Sequence, residues 1–262
     1  MLSFLRTSAA GSLISPPNTR CGSSSTIRAS WEDRAIESAF LTSRLDGSTY
    51  SRKSAALLLK YSITDEKPLS DALMLCDIGA TFRYVISTAQ ERNVLTKDFL
   101  CELHAKAVGN YQLPEKHQGS VRKKHHAIGS NSRSREELET ELDHCLEAAR
   151  RMDDPFEKAA GIHCGLLRLR YFTDGNRRTA RLMETAVLVN HGITPLFPEE
   201  SGFSSYPGAA LSCCERGNVR KYAEFLLRAS QQTIDSLLNR GEDFESARRE
   251  DGERIRKYRS RG

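Results

Sequence analysis

Along the middle of this chain apolar residues recur every three or four positions, and the breaks between the periodic stretches are polar or built on Gly and Pro. Trp31, Ala35, Ala39 and Phe40 fall near one face of a short helix predicted over Trp31 to Thr42. Leu69 to Glu91 carries Leu69, Leu73, Cys76, Ala80, Tyr84 and Ile86 or Ser87 near helical spacing. A further helix starts at Thr96 and runs through Val108, with Phe99, Leu100, Leu103 and Ala107 turned inward. Ser134-Arg-Glu-Glu137 is a capping box opening a helix to about Met152. Asp154-Pro-Phe-Glu157 is a second such start, with Pro at N1, and predicts a helix from Pro155 to about Leu169 that buries Ala159, Ile162, Leu166 and Leu169. Leu182 to Val189 is apolar almost throughout and ends at Gly192, the pattern of a central helix packed on several sides. Ile193 to Gly217 reads as a long connection, and Asn218 as the cap of a helix running to about Leu238. The expected fold class is all-α.

Composition sets the limits of that domain. With 262 residues, 39% of them hydrophobic, the chain can build one main helical core, placed at residues 31–240. Residues 1–30 contain no acidic residue, many Ser and Thr and scattered Arg6, Arg20 and Arg28, so they form a tail rather than a core. Such a tail fits an organelle transit peptide, the export signal of a protein injected into a host cell, or plain disorder. Residues 241–262 are a second, charged tail. No apolar run approaches the length of a membrane span, which predicts a soluble chain. The net charge of +5 is dispersed and does not demand nucleic acid. Seven Cys with no Cys-x-x-Cys pair argue against a disulfide framework or a structural zinc site; Cys213 and Cys214 read as small core residues, and a reducing, cytoplasmic compartment follows.

The chemistry is concentrated where one helix stops and the next begins, in Leu169-Arg-Tyr-Phe-Thr-Asp-Gly-Asn-Arg-Arg-Thr-Ala-Arg181. Asp174-Gly175-Asn176 breaks the first helix, and the second begins at about Arg177 with unpaired N–H groups facing the turn, an arrangement that binds phosphate. Arg178 and Arg181 lie on one helix face, and Asp174 is a hard oxygen ligand suited to a Mg²⁺ carried by that phosphate. A plain C-cap followed by an N-cap, with two solvated cations, is the competing reading of the same residues.

The full string Phe172-Thr-Asp-Gly-Asn-Arg-Arg-Thr-Ala-Arg181 resembles the signature of the Fic (Fido) family, matching at Phe172, Asp174, Gly175, Asn176, Arg178 and Arg181. Arg170 stands where that family has its catalytic His, and Tyr171 where it has Pro. Two further stretches carry the likeness. Thr42, Leu45, Asp46 and Gly47 take the places of the family's inhibitory motif, with Asp46 at the position of the inhibitory Glu. Gln118-Gly-Ser-Val-Arg-Lys-Lys-His-His-Ala-Ile-Gly129 resembles the short hairpin, or flap, that lies over the active site in these proteins and pairs with a target segment; Gly119 and Arg122 match. The resemblance spans about Thr42 to Leu238.

It implies an all-helical Fic domain with a β-hairpin flap and a protein nucleotidyltransferase chemistry of the AMPylation type. In that scheme Gly175, Asn176 and the backbone of Arg177 hold phosphate oxygens and Asp174 binds Mg²⁺. Arg178 clamps the triphosphate of ATP or another nucleotide, and Arg181 meets its far end or the regulatory carboxylate of Asp46. Arg122, His125 and His126 would face an unidentified target protein. Arg170 breaks the scheme, because a guanidinium has no lone pair to accept the proton of an attacking hydroxyl. Losing a general base costs about 10²–10⁴ in rate. The leading expectation is therefore a Fic-fold protein that binds nucleotide but has lost or altered the usual transfer; an active transferase using another base is the alternative. A helix-turn-helix nucleic-acid binder built on Ala159 to Asn190 is a third reading, disfavoured because the second helix is too apolar to face a groove.

Overall fold

The computed structural model of the chain describes residues 25–109, 113–123, 133–193, 205–216 and 218–232. Its elements are α1 (Ser25–Leu45), α2 (Arg52–Tyr61), α3 (Leu69–Thr88), α4 (Lys97–Ala107), a 3₁₀ turn (Glu115–His117), α5 (Arg135–Arg150), α6 (Pro155–Leu169), α7 (Asn176–Asn190), α8 (Ser205–Arg216) and α9 (219–232). Among the described residues there is no sheet; Val121 and Phe172 form an isolated antiparallel bridge. No helix among them is long and apolar enough to cross a membrane.

The helix starts follow from the sequence. Ser134 and Glu137 form both halves of the capping box on α5. Asp154 accepts from Phe156 and Glu157 N–H at the head of α6, with Pro155 at N1. Thr96 caps α4 through the Phe99 N–H. Helix α7 is the hub, packing mainly against α6 and also touching α1, α3 and α4. Its buried set includes Leu182, Met183, Ala186, Val187 and Leu188, as a helix covered on several sides requires. A second cluster, built on Phe40, Tyr50, Leu75 and Ile78, joins α1, α2 and α3.

The structure departs from the sequence reading in five places. Helix α1 begins at Ser25, inside the stretch read as tail, and α2 was not foreseen. On α3 the predicted stripe is on the wrong face: Leu69 is 61% exposed and Cys76 and Ala80 are exposed, whereas Leu75, Ile78, Phe82 and Val85 are fully buried. This helix carries apolar residues on more than one face, so periodicity could not choose between them. The connection read at 193–217 contains α8. Cys164 of α6 and Cys213 of α8 form a disulfide with S–S 2.09 Å, against the expectation of none; their spacing of 49 residues carries no local signature, and only the packing of α8 on α6 brings them together. Residues 1–24, the Trp31 side chain, Lys124 to His126, the rest of the expected hairpin and the tail at 241–262 lie outside the described residues.

Candidate functional site

The turn between α6 and α7 is held by its own side chains and by α4. Arg170 ends α6 in the left-handed region, with φ 48° and ψ 55°, and its side chain is exposed. Tyr171 turns inward, 1% exposed, and donates its hydroxyl to Glu139 at 2.8 Å. Burial first, and then that carboxylate, push the phenol far above its ordinary range. Asn176 spends its side chain on the loop: Oδ1 accepts the Phe172 N–H at 2.9 Å and Nδ2 donates to the Phe172 carbonyl at 2.8 Å. Its backbone N–H is what remains for an anion. Gly175 precedes α7 with φ 72°, and a Cβ there would stand 2.4 Å from Val108 Cγ1, so no other residue fits this turn without rearrangement. No side chain caps α7, which leaves its first N–H groups to an external acceptor.

His104, on the buried face of α4, ties three segments together. Its Nδ1 accepts the Gly119 N–H at 2.8 Å, so the proton sits on Nε2, which donates to the Asp174 carbonyl at 3.0 Å. The ring stacks on Phe172 at 3.7 Å between centroids. Burial, with Arg178 nearby, pushes its pKa down to about 4, so it is neutral at ordinary pH. Both ring nitrogens are engaged, which makes His104 a positioning residue for the turn and not a free base. Its signal in the sequence was a polar residue inside the apolar stripe Leu100, Leu103, Ala107.

Three arginines of the first α7 turns converge on one carboxylate. Asp46, carried on the turn that ends α1 at Gly47, lies 3.0 Å from Arg178 Nε, 3.1 Å from Arg177 Nε and 3.6 Å from Arg181 Nη2. The Arg178 side chain is 4% exposed, and burial lowers its affinity for its proton while Asp46 and Asp174 oppose that. Arg181 also donates to the Thr42 carbonyl and to the Tyr206 hydroxyl, both at 3.2 Å. Burial would depress its pKa, yet Tyr206 and Asp46 hold it above the ordinary value. The aspartate, one methylene shorter than Glu, thus reaches the cluster, with Arg178 and Arg177 nearer to it than Arg181.

Behind Arg181 runs a buried polar chain that the sequence did not announce. Tyr206 of α8 meets His163 Nε2 at 3.1 Å, His163 Nδ1 lies 2.8 Å from Glu184, and Glu184 accepts the Tyr222 hydroxyl at 2.8 Å. His163 is 0% exposed and cannot serve the turn. On the opposite side, Arg122 donates its N–H to the Tyr171 carbonyl at 2.9 Å and its Nε to the Arg170 carbonyl at 2.7 Å, so the segment before the expected flap is pinned to the turn. Asp174 is 66% exposed; its Oδ1 accepts the Gly175 N–H at 2.7 Å and its Oδ2 lies 3.7 Å from Arg178. His125 and His126 lie outside the described residues.

An exposed acidic residue, an uncapped glycine-led helix start and an arginine cluster at one turn invite comparison with known proteins. Residues 94–188 match the Fic/DOC family. This stretch carries a Fic domain. It is 29% identical over 170 residues to the protein adenylyltransferase Fic of Nematostella vectensis, covering 62% of this chain and 38% of that one. It is 25% identical over 221 residues to the protein adenylyltransferase fic-1 of Caenorhabditis elegans, covering 77% and 43%. The chain therefore spans about two fifths of the length of these curated relatives. Among solved structures, the chain superposes on a C. elegans Fic-1 fragment with a TM-score of 0.71 at 20% identity, covering 84% of this chain and 67% of that one. A Fic-domain signalling protein from Bacteroides thetaiotaomicron gives 0.66 at 20% identity, covering 79% and 89%. The all-α Fic fold is thereby shown.

Proposed function

We propose that this Fic domain binds a Mg²⁺-nucleotide, ATP or a close relative, at the turn from Asp174 to Arg181, and that AMP transfer is restrained by Asp46 and blocked by Arg170. The observation that carries the reading is the convergence of Arg177, Arg178 and Arg181 on a single carboxylate beside an uncapped helix start. A site that gathers three guanidinium groups around one anion is built to take another. Asp46 then acts as a stand-in anion that a triphosphate must displace.

The residues fit the metal. Asp174 offers one exposed carboxylate oxygen, and the described residues hold no group of three His, Cys, Asp or Glu for a resident ion. One protein carboxylate, with water and phosphate oxygens, is the usual environment of a substrate-borne Mg²⁺. Such an ion would neutralise phosphate charge. Asn176 and Arg177 present backbone N–H groups, the Gly175 N–H being taken by Asp174 Oδ1, with Arg178 the buried clamp and Arg181 the outer contact. A target hydroxyl brought in beside residues 119–123 would find Arg170 where a proton acceptor is needed. His104 and His163 are committed elsewhere.

Calorimetric titration with Mg²⁺-ATP, on the natural chain and on Asp46→Gly, tests the binding. Heat that strengthens in the variant supports it; no heat from either overturns it and leaves the motif purely structural. The second reading, an active transferase with another base, draws on relatives named adenylyltransferases. Auto-labelling of the natural chain with α-labelled ATP would establish it.

A further inference from the structure

We infer that the groove beside the base of the flap is a docking site for an acidic segment of the protein that carries the acceptor hydroxyl. This rests on the reading of the turn as a nucleotide site with a protein target. The groove has a volume of about 600 Å³ and lies between residues 116–123 and the first turns of α5, with Tyr171 at its floor. Five permanently charged cations line it, Lys97, Lys116, Arg122, Lys123 and Arg135, together with His117.

Its charge is not balanced from within. Glu139 takes Lys97 as a close ion pair and has Arg135 at 3.8 Å, so those two cations share one carboxylate. Lys116, Arg122 and Lys123 have no carboxylate within ion-pair distance among the described residues, and the Arg122 contact through Nε is to a carbonyl, which leaves its charge in place. Three uncompensated cations along one wall favour a partner with two or three carboxylates.

Shape and position select a peptide. A groove of this volume is the size of an ordinary ligand pocket and takes several side chains. Residues 121–122 are already bonded to 171–172, so a chain lying in the groove passes one short segment away from Arg170 and the phosphate turn. Single-stranded nucleic acid needs exposed aromatic faces as stacking platforms. The aromatic ring here, Tyr171, is 1% exposed, and the carboxylates of Glu136 and Glu139 interrupt the cationic wall where a continuous line of phosphates would run. A peptide can place its carboxylates to either side of them.

The test uses the full chain and fluorescent peptides that each hold one Ser, flanked by Asp and Glu, by Ala and Gln, or by Lys. Anisotropy should show the acidic peptide binding at least 10-fold more tightly than the neutral one, with salt weakening it. The double variant Lys116→Glu/Lys123→Glu should lose that preference, and Lys116→Arg/Lys123→Arg should keep it. Both lysines are exposed, so the thermal midpoint and the Mg²⁺-ATP titration should be unchanged in each variant. Equal binding of acidic and neutral peptides, or an acidic preference that survives the Glu variant, overturns the groove. Tighter binding of an oligothymidylate than of the acidic peptide also overturns it, in favour of nucleic acid. Absence of ATP heat with the peptide preference intact would instead refute the nucleotide reading alone.

Discussion

Replacing Asp46 by Asn removes one charge and almost no volume from the centre of the arginine cluster. The carboxylate is 9% exposed and faces Arg178, which is 4% exposed, so the pair is shielded from water. Deleting one partner of a buried pair typically costs about 3 to 5 kcal/mol, because the other charge is left uncompensated. Arg177 is 62% exposed, and such a contact contributes less than about 1 kcal/mol. Arg181 stands farther off, at 3.6 Å, and keeps Thr42 and Tyr206 as partners. The lower end applies, about 3 kcal/mol, or a fall of about 6 to 12 °C in the midpoint for a chain of this size. Nucleotide should narrow the gap. Where the phosphate no longer competes with Asp46, ligand at about 100 times its Kd returns about 2.7 kcal/mol, whereas the natural chain gains less. Thermal unfolding of both proteins across a Mg²⁺-ATP series measures the two effects. Equal midpoints without nucleotide would mean that Asp46 does not balance the arginines. Equal rises with nucleotide would mean that it does not occupy the phosphate's place.

Three other outcomes follow from the same geometry. Arg170→His should raise auto-labelling with α-labelled ATP by about 10²–10⁴, most clearly combined with Asp46→Gly; labelling of the natural chain at the level of the double variant would acquit Arg170. His104, held at about 4 by burial against an ordinary 6.5, is neutral when folded and binds a proton more readily when unfolded. Its stabilisation is complete above about pH 6.5 and is lost on descent to about pH 4, an effect of roughly 3 kcal/mol. Urea midpoints of His104→Gln should fall less steeply across that window than those of the natural chain, and parallel slopes would refute the assignment. The Cys164–Cys213 bridge closes a loop over a separation of 49 residues, for which chain entropy predicts about 4 kcal/mol. Cys213→Ser should lower the midpoint accordingly and abolish its sensitivity to dithiothreitol; a midpoint indifferent to both would show that the bridge does not form.

Local chemistry was legible without coordinates. The boxes at Ser134 and Asp154 placed the starts of α5 and α6, because a cap is decided within four residues of chain. Asp174-Gly175-Asn176 was readable as a helix break for the same reason, and the apolar stripes of α4 and α6 were correct because each has one polar face. The turn's residue types also pointed to an anion site before any geometry. Where a helix carries apolar residues on more than one face, as α3 does, the pattern could not say which face a neighbour would cover.

What needed the fold is every relation between residues far apart in sequence. Asp46 reaches Arg178 across the α1–α7 contact, His104 reaches Asp174 across α4 and the turn, and Tyr206 reaches Arg181 from a helix that read as a connection. The Cys164–Cys213 pair is of the same kind. The sequence by itself determined the starts of α4, α5 and α6, their caps and the helix break at Asp174-Gly175-Asn176, since propensity, capping and backbone freedom act over a few residues. Only the tertiary structure decided which carboxylate the three arginines share and which histidine holds the turn, because ion pairing and burial depend on distances that packing alone creates.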